Sequence, residues 1–339
     1  MSRRLIYLIS LPLVALIIVA LLAWQAYQSF LETPVNISEP YVLTVKKGSN
    51  YNKLIAELNA DKLIDSVWFM KLYGRQSQKA ARIRAGEYLI EPGTTPVMLV
   101  ETLVSGKPIQ YSFTIVEGST FKEVKQQLSQ DKVLVQRLPE QDEKALFGKK
   151  HPGVEGLFLA ETYRFERGTT DIELLQRAAK LLDRKLAAAW ALRTKPLPYK
   201  TSYDALIMAS IIEKETARPA ERPEIAGVFV RRLNKGMRLQ TDPTVIYGMG
   251  DLYKGNIRRA DLRKATPYNT YVIKGLPPTP IAMVGEAAIQ AALNPKPGKS
   301  LYFVAKGDGS HQFSNTLKAH NRAVRLYQLK RRKDYRSTP

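Results

Sequence analysis

From Leu5 to Trp24 the chain runs for about 20 residues without a charge, long enough to cross a hydrocarbon core as one helix. Arg3 and Arg4 precede the run, and Trp24 and Tyr27 follow it, giving a positive flank and an aromatic edge. A cleavable signal peptide would carry a shorter apolar region and an Ala-x-Ala site, which this stretch lacks. The reading is therefore an uncleaved single-pass anchor, with the bulk of the chain outside the cytoplasm. That placement constrains how the composition is read. Lys and Arg number 52 against 31 Asp and Glu, a formal net charge of +21, which points to a polyanionic partner. Outside the cytoplasm, anionic lipid or an acidic wall polymer fits better than nucleic acid. The only dense basic cluster, Lys330 to Lys333, reads as a solvated tail. The absence of cysteine excludes disulfides and thiolate metal sites.

A chain of 339 residues has room for two or three domains. Residues 1–24 read as cytoplasmic stub and anchor, and 25–40, with Pro34 and Pro40, as a stalk. An internal repeat follows. Thr44-Val-Lys-Lys-Gly-Ser-Asn-Tyr-Asn-Lys-Leu54 matches Thr114-Ile-Val-Glu-Gly-Ser-Thr-Phe-Lys-Glu-Val124, and a looser copy runs from Tyr88 to Leu103. Each copy predicts a short strand, a Gly turn, a Ser/Thr N-cap and an amphipathic helix. The first copy resembles the LysM carbohydrate-binding module, so 41–108 reads as a LysM-like subdomain that either binds glycan or simply packs. Residues 109–327 read as a larger catalytic domain and 328–339 as a basic tail. The fold class is α+β.

In that larger part, Thr170-x-x-Glu173 is a capping box opening a long helix through Trp190. Glu155-Gly-Leu-Phe-Leu-Ala-Glu-Thr-Tyr163 has the mixture of carboxylates, Gly and aromatics expected of a loop beside a pocket. The stretch Ser202 to Thr216 predicts a helix of about four turns with Ser202 as its cap. Near its end, where the helix dipole disfavours negative charge, stand Glu213 and Glu215. At ~100° per residue Glu215 falls inside the widest apolar arc, among Ile207, Met208, Ile211 and Ile212. Glu213 falls between Leu206, Ala209 and Ser210, as a solvated or structural partner of Arg218 or Lys214. A carboxyl desolvated as Glu215 would be has a raised pKa, suited to a general acid.

After a further helix with Ile225, Val228, Phe229 and Leu233 as its stripe, three polar loops are expected. They are Gly236 to Gly250, Thr266 to Tyr271 and Gly275 to Pro278. Gln240, Thr241, Asp242 and Tyr247 of the first can hydrogen-bond sugar hydroxyls and amides. A helix near Gly285 to Leu293, a hairpin (Leu301–Ala305 and His311–Phe313) and a helix from Thr316 complete the chain. Other chemistries drop out. Gly298-Lys-Ser300 lacks the earlier Gly of a phosphate loop, the three histidines are scattered without a zinc motif, and no nucleophile elbow occurs.

Ala209-Ser-Ile-Ile-Glu-Lys-Glu-Thr216, Arg238-Leu-Gln-Thr-Asp-Pro-Thr-Val-Ile-Tyr-Gly248, Tyr268-Asn-Thr-Tyr271, Gly275-Leu-Pro-Pro278 and Leu301-Tyr-Phe-Val-Ala305 occur in a telling order and spacing. Together they resemble the YceG-like (MltG) family of membrane-anchored endolytic murein transglycosylases. Two segments depart from the family pattern, Leu159-Ala-Glu-Thr-Tyr163 and Ile281-Ala-Met-Val-Gly285, and both leave the glutamates untouched. The resemblance implies cleavage of the β-1,4 bond between N-acetylmuramic acid and N-acetylglucosamine to a 1,6-anhydro end, terminating nascent strands, without metal or cofactor. It places the catalytic role on the second glutamate of Glu-Lys-Glu-Thr, Glu215. Gln240, Asp242, Tyr247, Tyr268, Asn269 and Thr270 are the candidate substrate-binding residues, with Gln240 and Asn269 placed to steady a glycosyl cation. The implied partners are peptidoglycan strands, the inner membrane and peptidoglycan synthases, with the catalytic part in the periplasm. Two alternatives remain: a lysozyme-like hydrolase with Asp242 as second acid, and a non-catalytic wall-binding anchor.

Overall fold

The computed structural model describes residues 3–138, 143–147 and 150–329. The Lys330 to Lys333 cluster lies outside them. The chain is mixed α+β and divides into two compact units, Met1–Tyr111 with Phe165–Thr169, and Ser112–Arg164 with Thr170–Pro339.

The first unit begins with helix α1 (Arg3–Glu32). Its side chains from residue 12 to residue 26 are exposed, whereas Tyr27 is buried against the rest of the unit. The expected stalk is thus partly wrong, because residues 25–32 continue the helix. No Gly or Pro interrupts the chain between Pro12 and Pro34, so nothing ends the helix sooner. Strand β1 (Tyr41–Val45), helices α2 (Tyr51–Ala60) and α3 (Val67–Gln76), strand β2 (Gly86–Ile90) and helix α4 (Pro96–Ser105) follow. β1 and β2 pair antiparallel, Tyr41 opposite Ile90. Ile55, Leu58, Tyr88, Val100 and Leu103 fill the space between sheet and helices.

All three copies of the repeat fold as one strand, a left-handed Gly turn and a capped helix. Gly48 and Gly93 make the turns here, with φ of 83° and 88°. Asn50 caps α2 in place of the expected Ser49, its side chain accepting from the Lys53 N–H. Thr95 caps α4. In the second unit, β3 (Tyr111–Thr114) leads through Gly118 to α5 (Phe121–Gln130), which Thr120 and Glu123 close with a capping box.

Helix α6 (Glu143–Phe147), strand β4 (Thr162–Phe165), which pairs with β3, and α7 (Asp171–Ala191) come next. Then follow α8 (Ser202–Glu215), α9 (Arg222–Asn234), α10 (Asp242–Met249), α11 (Glu286–Leu293), the hairpin β5 (Tyr302–Ala305) and β6 (His311–Ser314), and α12 (Leu317–Val324). Helix α8 is the centre of this unit, packed by α7, α9, α10 and α11. Every residue from Ala205 to Glu213 is buried. A helix apolar on nearly all sides can be stable only where neighbours surround it. Its cap is Thr201 rather than Ser202: the Thr201 hydroxyl accepts from Asp204 N–H, and the Asp204 carboxylate accepts from Thr201 N–H. The reciprocal bond explains the choice, since Ser202 has no acid three residues on.

Candidate functional site

Helix α8 stops at Thr216, whose backbone turns extended with φ −149°. This leaves Glu215 at the last helical position, half-buried, with Oε1 accepting from the Thr241 hydroxyl. Oε2 makes no hydrogen bond to the described residues. Burial pushes the carboxyl up to about 7, and the neighbouring Asp242 charge adds to the rise. The Thr241 hydroxyl and the Arg232 guanidinium act the other way, favouring the ionised form. A carboxyl so balanced can give a proton and take one back near neutral pH.

The partners of Glu215 are held from behind. Gln240 adopts a left-handed backbone at φ 54°, unusual for a residue with a Cβ, and its N–H donates to Thr270 O at 3.2 Å. Thr241 N–H donates to Thr270 Oγ1 at 3.1 Å, and Thr244 Oγ1 donates to Thr241 O at 2.8 Å. Asp242 and Pro243 then open α10, so the expected loop is a short helix over these residues. Pro is well suited there, since a first-turn N–H has no helical acceptor. Arg232, on α9, is buried and fixed by the carbonyls of Leu239 (2.8 Å) and Leu301 (2.6 Å), with Tyr302 beneath its plane.

Glu213 lies two residues earlier and faces elsewhere. It is buried, not solvated, and pairs with neither Arg218 nor Lys214. Oε1 accepts from Arg222, and Oε2 accepts from Gly285 N–H at 2.9 Å. Arg222 also donates to Glu117 at 2.8 Å. Burial holds the Glu213 carboxyl above the ordinary carboxylate range, with Gly285 and Arg222 opposing and Glu117 adding to the rise. A Cβ at Gly285 would meet the Glu117 carboxylate, so a larger residue there would push that flexible, exposed side chain aside.

Glu155, which the sequence marked only as part of a loop, is a third raised carboxyl. Burial pushes it to about 7 although Phe121 N–H (2.9 Å) and the Tyr247 hydroxyl (3.1 Å) both donate to it. The Tyr247 ring meets Tyr268 edge-on at 4.9 Å, and the Tyr268 hydroxyl bonds Thr279 Oγ1 at 2.7 Å.

The structure thus gathers Gln240, Thr241, Asp242 and Arg232 around Glu215, with the Tyr271 hydroxyl donating to Asp242 at 2.6 Å. Gln240 and Asp242 are exposed. Tyr247 and Tyr268 form a neighbouring pair tied to Glu155. Two expectations need correction. Asn269 is buried, its amide donating to Asp261 O and Lys264 O and accepting from Tyr271 N–H, so it braces its own loop. Thr270 is fully buried and hydrogen-bonded to Thr241 and Thr244, which it helps to position. Thr241, Arg232 and Glu155 were absent from the expected site. Thr241 carried a signal in its hydroxyl within the polar run and Glu155 in a segment read as a loop beside a pocket, whereas Arg232 carried none. Towards the other end of α10, Val245, Gly248, Asn269, Lys254, Arg258 and Lys264 are among the residues that line a cavity of about 280 Å³. Glu215 does not line it.

Among the described residues, no three His, Cys, Asp or Glu side chains group to hold a metal ion. Comparison with known proteins gives a consistent picture. The YceG-like family model matches residues 43–326. The endolytic murein transglycosylase of Bacillus subtilis is 32% identical over 318 residues, covering 87% of this chain and 85% of that protein. The protein of the same name from Streptococcus pneumoniae D39 is 27% identical over 91% of this chain, which spans 63% of its length. Among solved structures, a yceG-like protein of Listeria monocytogenes aligns with TM-score 0.52 at 28% identity, covering 84% of this chain and 99% of that one.

Proposed function

The chain belongs to the YceG-like family, and we propose that it is a lytic transglycosylase of peptidoglycan in which Glu215 moves the proton. The observation that carries the assignment is one of free valence. Among the described residues of this unit, three carboxyls are held above their ordinary range, and Glu155 and Glu213 have both oxygens occupied by protein donors. Glu215 alone of the three keeps an oxygen unclaimed. A proton donor must come within hydrogen-bond reach of its acceptor, and of these three Glu215 has the oxygen free to do so.

In the forward step protonated Glu215 gives its proton to the glycosidic oxygen as the bond to muramyl C1 breaks. The C6 hydroxyl of the same sugar then bonds to C1 and yields its proton to the Glu215 carboxylate. The products are a 1,6-anhydromuramyl end and a free 4-hydroxyl, and the enzyme returns to its starting protonation. Because the nucleophile belongs to the substrate, one carboxyl serves both steps. An inverting or retaining hydrolase needs a second one. Gln240, exposed beside Thr241, would offer its amide oxygen, which also accepts from Arg232 at 3.4 Å, to the positive charge that develops at C1. Asp242 helps keep Glu215 protonated near neutrality. Its closeness also favours a hydrolytic variant as second reading, with water in place of the C6 hydroxyl.

Helix α1 serves as membrane anchor, with both units on the outer face, where synthases extrude new strands. The repeat of the first unit is either a glycan contact or scaffold. Removal of residues 41–66 should weaken binding to isolated wall material in the first case and leave it unchanged in the second. Muropeptide analysis of glycan strands digested by the full chain tests the activity. Anhydro ends are expected. Reducing ends would make the enzyme a hydrolase, and intact strands would make it a binder.

A further inference from the structure

Helix α3 has one face packed and one bare. Met70 and Gly74 are buried, and Gly74 lies so close to Tyr51 that a Cβ would collide with its ring. Trp68, Lys71, Leu72 and Arg75 recur at helical spacing on the opposite face, and all are exposed, Trp68 to 66%. The helix carries no acidic residue. A large indole left in water on a face otherwise made of one leucine and two cations is a poor solvent surface. It is the composition of a helix lying in a lipid interface.

The position of α3 along α1 supplies the second observation. A ladder of rings runs from Trp24 to Tyr27 at 5.9 Å, from Tyr27 to Phe69 at 5.6 Å and from Phe69 to Trp68 at 5.3 Å. Phe30 also meets Phe69, at 5.5 Å, and the Tyr27 hydroxyl donates to Gln76 Oε1 at 2.9 Å. Trp24 ends the apolar run. At the rise of an α-helix, Tyr27 and Phe30 stand ~5 and ~9 Å beyond it along the axis. The polar zone on one side of a bilayer is about 5–7 Å thick. Docking on Tyr27 therefore brings the start of α3 to headgroup level, with Phe30 just beyond the outer edge of that zone.

We propose that the Trp68/Lys71/Leu72/Arg75 face of α3 binds the lipid surface from which α1 emerges. The indole and the leucine enter the boundary between headgroups and acyl chains, and the two cations rest on anionic headgroups. The first unit is then held to the membrane by a surface as well as by a tether. The inference rests on α1 being a membrane anchor, and the test separates the two.

Trp24, Trp68 and Trp190 are the three tryptophans of the chain. The full chain is reconstituted in vesicles of phosphatidylethanolamine and phosphatidylglycerol, with acyl chains brominated near the headgroup or unbrominated. In a Trp24→Phe/Trp190→Phe variant, bromination should quench Trp68 emission, and Lys71→Gln with Arg75→Gln should reduce that quenching. A Trp68→Phe/Trp190→Phe variant reports on the anchor through Trp24. Should loss of Trp190 unsettle the fold, wild type minus Trp68→Ala gives the same quantity, since an exposed indole can be removed without a cavity. Bromine quenching at Trp24 with none at Trp68 overturns the proposal and leaves the anchor standing. Quenching at neither overturns both. An unquenched Trp68 that is also shielded from aqueous acrylamide would place a protein partner on this face and equally overturn the lipid assignment.

Discussion

Glu213 and Glu215 share a helix, a residue type and a raised pKa, yet their surroundings give them different work. Around Glu213 the protein engages both oxygens: a buried guanidinium on one, a backbone N–H on the other, with a second carboxylate beyond the arginine. Around Glu215 it supplies one hydroxyl and leaves the rest open. Desolvation raises both, so a raised pKa does not by itself mark the acid that works on substrate. The spare oxygen does. The Glu213 cluster fastens α8 to the start of α9 and to the turn at Gly285, which steadies the helix end that carries Glu215.

The contrast can be broken most forcefully at Arg222. Arg222→Met leaves Glu213 buried without its cation and should cost about 3–5 kcal/mol of stability in urea unfolding. A neutral outcome would remove the structural role given to Glu213. The next effect is a pH dependence. Glu215 is raised from 4.5 to about 7 in the folded chain. Below the unfolded value both states are protonated and the carboxyl costs nothing. As pH rises the unfolded state ionises first, so stability is lost until the folded pKa is passed. Glu215→Gln should therefore match wild type near pH 4 and exceed it above pH 7, by at most ~3 kcal/mol. Calorimetric Tm against pH measures this, and parallel curves would contradict the burial of Glu215. The smallest effect concerns Thr241→Val. The lost hydroxyl favoured the carboxylate, so the alkaline limb of kcat/KM should move up by ~1 pH unit or less. A limb that stays in place would detach Thr241 from the working acid.

Much of this arrangement could be read from the residues. The apolar run, the capping boxes at Thr170 and Thr120, the repeated Gly turns and the hairpin around Gly307 and Gly309 are local signals, and they fold as local rules demand. Helical phase alone separated Glu213 from Glu215 and put Glu215 among apolar neighbours. What stayed hidden depended on distant pairing. Arg222 and Gly285 are remote from each other in sequence, and nothing in either segment announces that both close on Glu213. Arg232 sits among ordinary helix residues and gains its role only through the carbonyls of two other segments. Asn269 and Thr270 look like sugar-binding groups because amides and hydroxyls serve either purpose. Their burial, which spacing does not reveal, turns them inward.

The most direct test compares Glu215→Gln with Glu213→Gln on the same glycan strands, counting anhydro ends per unit time and checking each fold by circular dichroism. The account predicts a folded Glu215→Gln enzyme slowed by ~10²–10⁴, and a Glu213→Gln enzyme that keeps most of its turnover wherever it remains folded. An active Glu215→Gln beside a folded but inactive Glu213→Gln would contradict it.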